Sequence, residues 1–393
     1  MRIEDVAPHL RGLLKPVAGK PNAKAMVAPP TLRGLPSGTL GSSGLLTAAT
    51  SALGQLQGDI AHWPDADLLT RTLARREAVQ SSQIEGTKAG LRDVLAYEVT
   101  LSADGKPPDV TVTERYVEAL QLGLEEVRAG GRQALTLQLV HRMHAILMQD
   151  TPGALHGQYR TTQAWIGSSP RIEDATFVPT PPDDIQACMS ELEQSMLQYA
   201  PREDEQCTLG VILQMAIAHA QFETIHPYAD GNGRTGRLLM PLILSAEGLP
   251  PLYLSGSILR HREGYYAALR QVQLQGNWSA WMDTLCRAVV ESANEAMAIA
   301  RDVTSLVQSW EERTARFRSD SVARRLPPLL VGYPIVDAKR VAQLLNVSDP
   351  AARTGIESLV EAGILTAPGD RRWRRTWHAM EVLDRLDQPP GGG

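Results

Sequence analysis

The chain has 393 residues, of which 43% are hydrophobic and 21% are charged, and its formal net charge is -5. This length allows one large domain or several smaller ones, with a substantial core. The mild acidity argues against a protein whose whole surface grips nucleic acid, although it leaves room for a local basic patch.

The termini and the cysteines predict where the protein resides. No apolar run approaches the ~20 residues of a membrane span. No apolar segment follows the first five residues, as it would in a signal peptide. The cysteines at 188, 207 and 286 are odd in number and far apart, which favours reduced thiols over disulfides. We therefore expect a cytoplasmic protein without membrane contact.

Residues 1–43 are rich in proline, glycine and lysine. Pro29-Pro30 and the turn-forming Pro36-Ser37-Gly38 favour extended chain over helix. We predict an extended, partly ordered lead-in, followed by a helical region over residues 44–105.

The second predicted helix of residues 44–105 carries a glutamate, Glu85, at an unfavourable position. It begins near Asp65 or Asp67, either of which could cap it, and Gly86 ends it. Glu85 lies at its last turn, where the negative end of the helix dipole disfavours a carboxylate. Glu85 is therefore either an exposed acid at a fraying end or the partner of a cation elsewhere.

Residues 106–318 form the predicted central domain. Helices are expected over 109–128 and 136–149, and Thr136 is a plausible cap for the second. On that helix His141 and His144 lie one turn apart. Because no third ligand is evident, we favour hydrogen bonding over metal ligation for this pair.

Residues 152–182 differ from their surroundings in being β-favouring and bounded by prolines. A turn at Ser168-Ser169-Pro170 separates two short runs, so we predict a hairpin in an otherwise helical protein. It could also be no more than a surface excursion. The next long helix, from Thr208, is apolar on nearly all sides and should be buried.

That buried helix leads into the segment H-P-Y-A-D-G-N-G-R-T-G-R, residues 226–237, which we call the motif segment. Gly231, Asn232 and Gly233 allow a tight turn whose backbone N–H groups point at an anion. The helix that opens at about Arg234 adds the positive end of its dipole. Arg234 and Arg237 lie one turn apart and can fork onto phosphate oxygens.

Two further residues of the motif segment suggest chemistry. Asp230 lies beside the turn and can hold Mg²⁺, which bridges phosphates and needs only one or two carboxylates. His226 can take a proton from an attacking hydroxyl at neutral pH. The alternative is a surface turn whose charges are merely solvated, which any one of these features alone would favour.

The motif segment resembles the signature of the Fic family, H-x-F-x-D/E-G-N-G-R-x-x-R. Tyr228 replaces the usual phenylalanine, and its hydroxyl needs a partner if it packs under the loop. Fic proteins mostly transfer AMP from ATP to a protein hydroxyl. The resemblance implies a mostly α-helical fold with a small β-hairpin flap at residues 152–182, whose edge aligns the target peptide by strand addition.

The resemblance also implies a role for each residue of the site. His226 would deprotonate a Ser, Thr or Tyr hydroxyl of the target, and Asp230 would bind Mg²⁺ or Mn²⁺. Inversion at the α-phosphorus would release pyrophosphate, with Arg237 on the γ-phosphate. The residues implied to hold the phosphates of ATP are Gly231, Asn232, Gly233, Arg234 and Arg237.

Next to such a core, Ser81 to Gly86 resembles the Fic inhibitory motif S/T-x-x-x-E-G/N, carried by Ser81, Glu85 and Gly86. Its position before the core resembles the class whose inhibitory helix is N-terminal in the same polypeptide. The resemblance implies that Glu85 pairs with Arg237, which then cannot hold the γ-phosphate.

Residues 319–386 resemble a winged helix. Val336 to Leu345 and a Ser348-capped helix to Glu361 precede a hairpin with four arginines, at 371, 372, 374 and 375. This domain could contact nucleic acid or serve as a docking or dimer module, since Arg353 is the one basic residue of the recognition helix. Residues 387–393 should be a loose tail.

We therefore predict a mostly α-helical, self-inhibited protein adenylyltransferase that acts on an unidentified target protein and on itself. Within the enzyme class, the alternatives are removal of AMP or use of another nucleotide. Outside it, the alternative is a DNA-binding regulator whose Fic core senses nucleotide without turnover. A homodimer is left open.

Overall fold

The structure is a computed structural model that describes residues 1–30, 41–63, 65–151, 153, 155–203, 208–367 and 375–387. Several sequence predictions lie outside the described residues: Pro36-Ser37-Gly38, Cys207, three of the wing arginines (371, 372 and 374) and the tail from 388. The described part is mostly α-helical, as predicted. In that part, no helix has both the length and the apolar character needed to cross a membrane.

The helices up to the motif segment are α1 (Ser43–Ile60), α2 (Ala66–Ile84), α3 (Leu91–Thr100), α4 (Val110–Gly130), α5 (Leu137–Leu147), α6 (Pro182–Leu192) and α7 (Val211–Ile225). Those that follow are α8 (Asn232–Ala246), α9 (Ser255–Arg260), α10 (Arg262–Arg270), α11 (Ser279–Thr314), α12 (Val322–Arg325), α13 (Ala338–Leu345), α14 (Asp349–Glu361) and α15 (Met380–Asp387). The strands pair as β1 (Leu14–Val17) with β2 (Lys20–Met26) and β3 (Ile335–Val336) with β4 (Trp377–His378), both antiparallel.

The chain forms two compact units. The first unit comprises residues 1–54 and 115–292, and the second comprises residues 55–114 and 293–393. These units group residues by contact and do not follow the order of the predicted domains. The predicted boundaries at 43, 105, 318 and 386 therefore stay predictions.

The core of the first unit is built on α7. Every residue from Ile212 to Ile225 is buried, as the apolar sequence predicts. Neighbouring helices approach closely where glycine removes a side chain. A Cβ at Gly123 of α4 would lie 2.6 Å from Leu242 of α8 and 2.7 Å from Met143 of α5. Tight packing around α7 and α8 gives the motif segment between them a rigid base.

The N-terminal 30 residues are more ordered than the predicted lead-in. Two 3₁₀ turns, Ile3–Asp5 and Pro8–Leu13, precede the β1–β2 hairpin, which turns at Gly19 with φ 70°. Their apolar side chains share a buried cluster with Phe177 and Val178. The local composition does not reveal this order, because it depends on apolar residues that pack on a distant segment. The predicted bounds of the lead-in, residues 1–43, stay a prediction.

Among the described residues of 152–182, the predicted hairpin consists of one antiparallel bridge, between Ile166 and Phe177. The Ile166 N–H donates to the Phe177 carbonyl over 2.8 Å, and the Thr176 N–H donates back to Ile166 over 2.8 Å. A 3₁₀ turn, Ile172–Asp174, lies between the two sides. We call residues 155–182 the flap segment.

The second unit holds a helix–turn–helix, α13 and α14, between two paired strands: β3 precedes α13, and β4 follows α14. Ser348 caps α14 by accepting from the Ala351 N–H, as predicted, and Asp337 caps α13 in the same way. Gly355 of α14 packs directly on Val322 of α12. The two helices follow each other as predicted, but β4 pairs with β3 from before the helices and makes a single bridge, His378 with Thr366, to the chain that follows α14 among the described residues. The identity of this region as a winged helix stays a prediction.

Candidate active site

His226 is held in a conformation that few side chains adopt. It ends α7 with φ 52° and ψ 61°, in the left-handed region, while its N–H donates to the Phe222 carbonyl over 2.8 Å. Such a backbone costs a non-glycine residue ~1–3 kcal/mol and persists only where its surroundings impose it. The turn brings His226 to the same end of the α7–α8 pair as the beginning of α8, which starts at Asn232.

The side chain of Asn232 closes the loop. Its Oδ1 accepts from the Tyr228 N–H over 2.9 Å, and its Nδ2 donates to the Tyr228 carbonyl over 2.8 Å. Both groups of the amide are therefore used inside the loop. The predicted phosphate contact of Asn232 falls to its backbone N–H, because the first turn of a helix leaves N–H groups without intrahelical partners.

Gly231 is required at the turn for two reasons. Its φ is 77°, and a Cβ there would lie 2.7 Å from Met148 Sδ. A side chain would thus meet both backbone strain and a steric overlap. A tight glycine turn of this kind is typical of backbone anion sites.

His144 supports the loop from below. Its Nδ1 accepts from the Gly157 N–H over 3.0 Å, so Nε2 carries the hydrogen and donates to the Asp230 carbonyl over 3.0 Å. Burial lowers the pKa of His144 to about 4, which keeps the ring neutral at pH 7. Among the alternatives left by the sequence, His144 therefore makes hydrogen bonds.

Tyr228 packs under the loop, as predicted for the residue that replaces phenylalanine. It is fully buried, and its ring stacks on His144 with centroids 3.6 Å apart. Its hydroxyl lies 3.1 Å from His141 Nδ1, which supplies the partner that a buried hydroxyl needs.

The predicted phosphate ligands Arg234 and Arg237 are both buried on the first two turns of α8. The Arg234 Nη2 atom lies 3.9 Å from Asp230 Oδ1 and 3.6 Å from Met148 Sδ. The Asp230 side chain is 65% exposed, and its Oδ1 accepts from the Gly231 N–H. A single exposed carboxylate, that of Asp230, beside the predicted phosphate site is consistent with Mg²⁺ binding, because Mg²⁺ keeps several waters and needs few protein ligands. Within the described ranges, no three acidic, His or Cys side chains form a metal-binding group.

The sequence analysis missed Arg160, which joins the flap segment to His226. Its Nε donates to the His226 carbonyl over 2.9 Å, and its Nη2 donates to the carbonyls of Thr180 and Ile225. The backbone N–H of Arg160 donates to the Pro227 carbonyl over 3.0 Å. Burial lowers the pKa of Arg160 to about 10. The signal was an arginine within a stretch that otherwise favours strand.

The sequence analysis also missed Glu223, one turn before His226. Its Oε2 atom lies 3.7 Å from His226 Nδ1, and the side chain is buried. The signal was an acid on a helix that is otherwise apolar on all sides. A buried carboxylate is costly and needs a cationic or hydrogen-bonded partner.

The predicted inhibitory residues lie in the second unit. Ser81 belongs to the last turn of α2, Glu85 is its C-cap residue, and Gly86 follows with φ 97°. The helix therefore ends where the sequence predicts. The pairing of Glu85 with Arg237 stays a prediction, since the two residues lie in different compact units.

The structure thus brings His226 to the same end of the α7–α8 pair as the helix N-terminus that carries both arginines, which is the arrangement predicted for the phosphate site. Residues 44–125 match the Fic/DOC family N-terminal region, and residues 134–244 match the Fic/DOC family itself. The chain is therefore a Fic-domain protein.

Part of the chain is similar in sequence to curated proteins that are named protein adenylyltransferases. The chain is 29% identical over 203 residues to the protein adenylyltransferase Fic of Culex quinquefasciatus, covering 49% of this chain and 36% of the relative. It is 29% identical over 140 residues to the protein adenylyltransferase fic-1 of Caenorhabditis elegans, covering 36% of this chain and 24% of the relative. The chain therefore matches only about a quarter to a third of the length of these two relatives.

Solved structures share the fold. A Fic family protein from Desulfovibrio desulfuricans G20 superposes with a TM-score of 0.53 at 19% identity, covering 89% of this chain and 98% of that chain. A Fic domain containing signaling protein from Bacteroides thetaiotaomicron gives a TM-score of 0.52 at 16% identity, covering 65% of this chain and 97% of that chain.

Proposed function

We propose that this protein is an adenylyltransferase that moves AMP from ATP to a Ser, Thr or Tyr hydroxyl of a protein, including itself. The observation that carries this proposal is the placement of His226 at the same end of the α7–α8 pair as the N-terminus of α8. A base and an anion site are thus adjacent. The names of the curated relatives support the same reaction.

The phosphates of ATP are bound by backbone and by arginine. The loop of residues 231–233 attracts the α- and β-phosphates through the N–H groups of Asn232 and Gly233, and the dipole of α8 adds to this attraction. Arg234 and Arg237 bind the outer phosphates, with Arg237 on the γ-phosphate. The loop is held in shape before ATP binds, because the Asn232 amide bonds to both backbone groups of Tyr228. Preorganised charge of this kind lowers the barrier of phosphoryl and nucleotidyl transfer.

Asp230 is the residue that would hold Mg²⁺ or Mn²⁺. When bound, the ion would neutralise charge on the phosphates and help to orient them. The exposure of the Asp230 carboxylate beside the phosphate loop supports this assignment.

The transfer step needs a base for the incoming hydroxyl. His226 accepts the hydroxyl proton while the new bond forms between the hydroxyl oxygen and the α-phosphorus. The bond from that phosphorus to pyrophosphate breaks, and the configuration at phosphorus inverts. The positive charge left on His226 lies beside the Glu223 carboxylate.

The experiment is incubation of the purified protein with ATP labelled on the α-phosphate. His226→Ala should abolish transfer while ATP still binds, because the loop and the arginines hold the phosphates. His261→Ala is the matched control, since its side chain lies in the same unit and is 59% exposed. Loss of ATP binding as severe as the loss of transfer in His226→Ala would make His226 structural.

Self-inhibition is the second part of the proposal. If Glu85 holds Arg237, ATP binds with its γ-phosphate displaced and its α-phosphorus out of line with the hydroxyl. A misplacement of about an ångström costs ~100-fold in rate. Glu85→Gly should therefore raise self-modification at least ~10-fold, and adding Arg237→Ala should cancel the gain. An unchanged rate in Glu85→Gly would remove the inhibitory assignment.

The labelled-ATP experiment also decides between the alternatives. A nucleotide-sensing regulator would bind ATP stoichiometrically without labelled product, and an enzyme that removes AMP would release AMP from labelled protein. The charge of α14 disfavours DNA binding, because its one arginine, Arg353, is outnumbered by three acidic residues, Asp349, Glu357 and Glu361. Salt-sensitive duplex binding that disappears without residues 330–393 would restore the regulator.

A further inference from the structure

We propose that Glu223 is a positioning residue for His226: its carboxylate holds the Nδ1–H group, so that Nε2 faces the incoming hydroxyl as the proton acceptor. The proposal rests on the proposed function, in which His226 is the base. It assigns a task to a buried acid that neither the motif segment nor the phosphate site uses.

The geometry places two polar atoms against each other. Glu223 Oε2 lies 3.7 Å from His226 Nδ1, and the Glu223 residue is 6% exposed. Within the described residues, His226 Nδ1 is buried without a hydrogen-bond partner, and so is the second oxygen of Glu223. A buried polar atom left without a partner destabilises the fold. Catalytic hydrogen bonds are often long before substrate binds, so a small rotation of either side chain completes this one.

The other groups that face Glu223 leave His226 as its hydrogen-bond partner. His219, one turn earlier on α7, directs its Nε2 to the Tyr265 hydroxyl over 2.7 Å. Burial lowers the pKa of His219, which keeps that ring neutral. Arg237 approaches from α8 and contributes positive charge. Burial raises the pKa of Glu223, but the neighbouring His226, His219 and Arg237 side chains outweigh it, so the net pKa lies below the usual value.

A glycine on the neighbouring helix leaves room for the Glu223 carboxylate. A Cβ on Gly236 of α8 would lie 3.0 Å from Glu223 Oε1 and 3.0 Å from His219 Nδ1. Any larger residue at this position would push the carboxylate away. The backbone of His226 is fixed independently by Arg160, whose Nε donates to the His226 carbonyl over 2.9 Å. Arg160 therefore sets where the imidazole starts, and Glu223 sets how the ring is turned.

The chemical consequence concerns the tautomer. A neutral imidazole carries one hydrogen, and the nitrogen that donates it cannot accept another. With Nδ1–H directed at Glu223, Nε2 keeps its lone pair for the hydroxyl. When Nε2 takes the proton, the carboxylate stabilises the imidazolium and remains ionised itself, as in other histidine bases oriented by an acid.

The test uses Glu223→Gln, which keeps the volume and removes the charge, in the ATP-free full-length protein. NMR of ¹⁵N-labelled imidazole reports the tautomer and the pH midpoint of the His226 ring signals without any need for activity. We expect wild-type His226 to carry its hydrogen on Nδ1, and we expect the midpoint to fall by about one pH unit or more in Glu223→Gln. Glu126→Gln, the same change on a half-exposed side chain, is the matched control and should leave both unchanged.

The kinetic readout follows from the same shift. In Glu223→Gln, self-modification should slow by ~10–100-fold, while the ATP concentration at half-maximal rate stays the same, because the phosphate ligands are untouched. The acid limb of the pH–rate profile should move to lower pH, since a less basic imidazole loses its proton earlier. A merely structural role would lower the rate without moving that limb.

Each result either supports or overturns the proposed role of Glu223. A wild-type ring that carries its hydrogen on Nε2, or a midpoint that does not move in folded Glu223→Gln, overturns the proposal. If Glu223→Gln does not fold, the wild-type tautomer alone decides. A protein with the expected tautomer and shift but without any transfer of label would retain the Glu223–His226 pair and overturn the proposed function.

Discussion

Arg160→Met removes a guanidinium from the junction of the flap segment and the motif segment while keeping most of the apolar stem. The lost bonds are those to the carbonyls of His226 at 2.9 Å, Thr162 at 3.0 Å, Ile225 at 3.4 Å, and Thr180. The acceptors on Thr180 and Ile225 are fully buried, and each unsatisfied buried carbonyl costs ~1–3 kcal/mol, or ~2–6 kcal/mol for both. Part of this is offset, because a buried guanidinium whose pKa is lowered to about 10 no longer has to be accommodated.

We therefore expect a loss of ~2–4 kcal/mol in the first unit, which corresponds to a fall of ~4–16 °C in its melting temperature for a unit of this size. Transfer of labelled AMP should fall further, by ~100-fold at a temperature where the variant is folded. The reason is that the carbonyl of His226 loses its anchor, and a displacement of about an ångström disrupts near-attack geometry. Calorimetry and the labelled-ATP assay measure the two effects separately.

The matched control is Arg171→Met in the same flap segment. The Arg171 side chain is 70% exposed and pairs only with the neighbouring acids Glu173 and Asp174 among the described residues. Exposed pairs contribute ~0–1 kcal/mol, so its melting temperature should barely change. If Arg160→Met melts like Arg171→Met, the carbonyl contacts of Arg160 do not stabilise the junction and the reasoning fails.

The remaining predictions concern the loop and the second unit. Gly231→Ala should weaken ATP binding by ~10-fold in titration calorimetry, because the added methyl meets both a φ of 77° and Met148 Sδ at 2.7 Å; unchanged affinity would show that the loop is not the phosphate site. Gly355→Ala should destabilise the second unit by ~1–3 kcal/mol in urea unfolding, and Val322→Ala should recover part of that loss; simple additivity of the two changes would contradict the contact. Burial lowers the pKa of His378 from 6.5 to about 4, so the unfolded chain takes up the proton first and stability should fall as pH drops through this window. His378→Gln should flatten that acid dependence, and an unaltered slope would assign it to other groups.

The sequence by itself determined the features that depend on neighbours along the chain. The motif segment places a base, an accessible carboxylate, a glycine turn and two arginines within twelve consecutive residues, so their proximity needs no tertiary information. Thr136 and Ser348 cap α5 and α14 as predicted, because a cap is a contact between a side chain and a backbone group three residues away. The burial of α7 follows from an apolar sequence without a polar face.

The tertiary structure alone decided how the motif segment is held. Arg160 reaches His226 across 66 residues of sequence, and His144 reaches Asp230 across 86. No local pattern specifies such partners, since a lone arginine or histidine has the same appearance in sequence whether it is solvated or buried. Glu223 is close to His226 in sequence, yet its role depends on a left-handed turn at His226 and on the close approach of Gly236. The N-terminal hairpin became ordered for a related reason: its apolar residues gain burial only against Phe177 and Val178, which folding brings to them from a distant part of the chain.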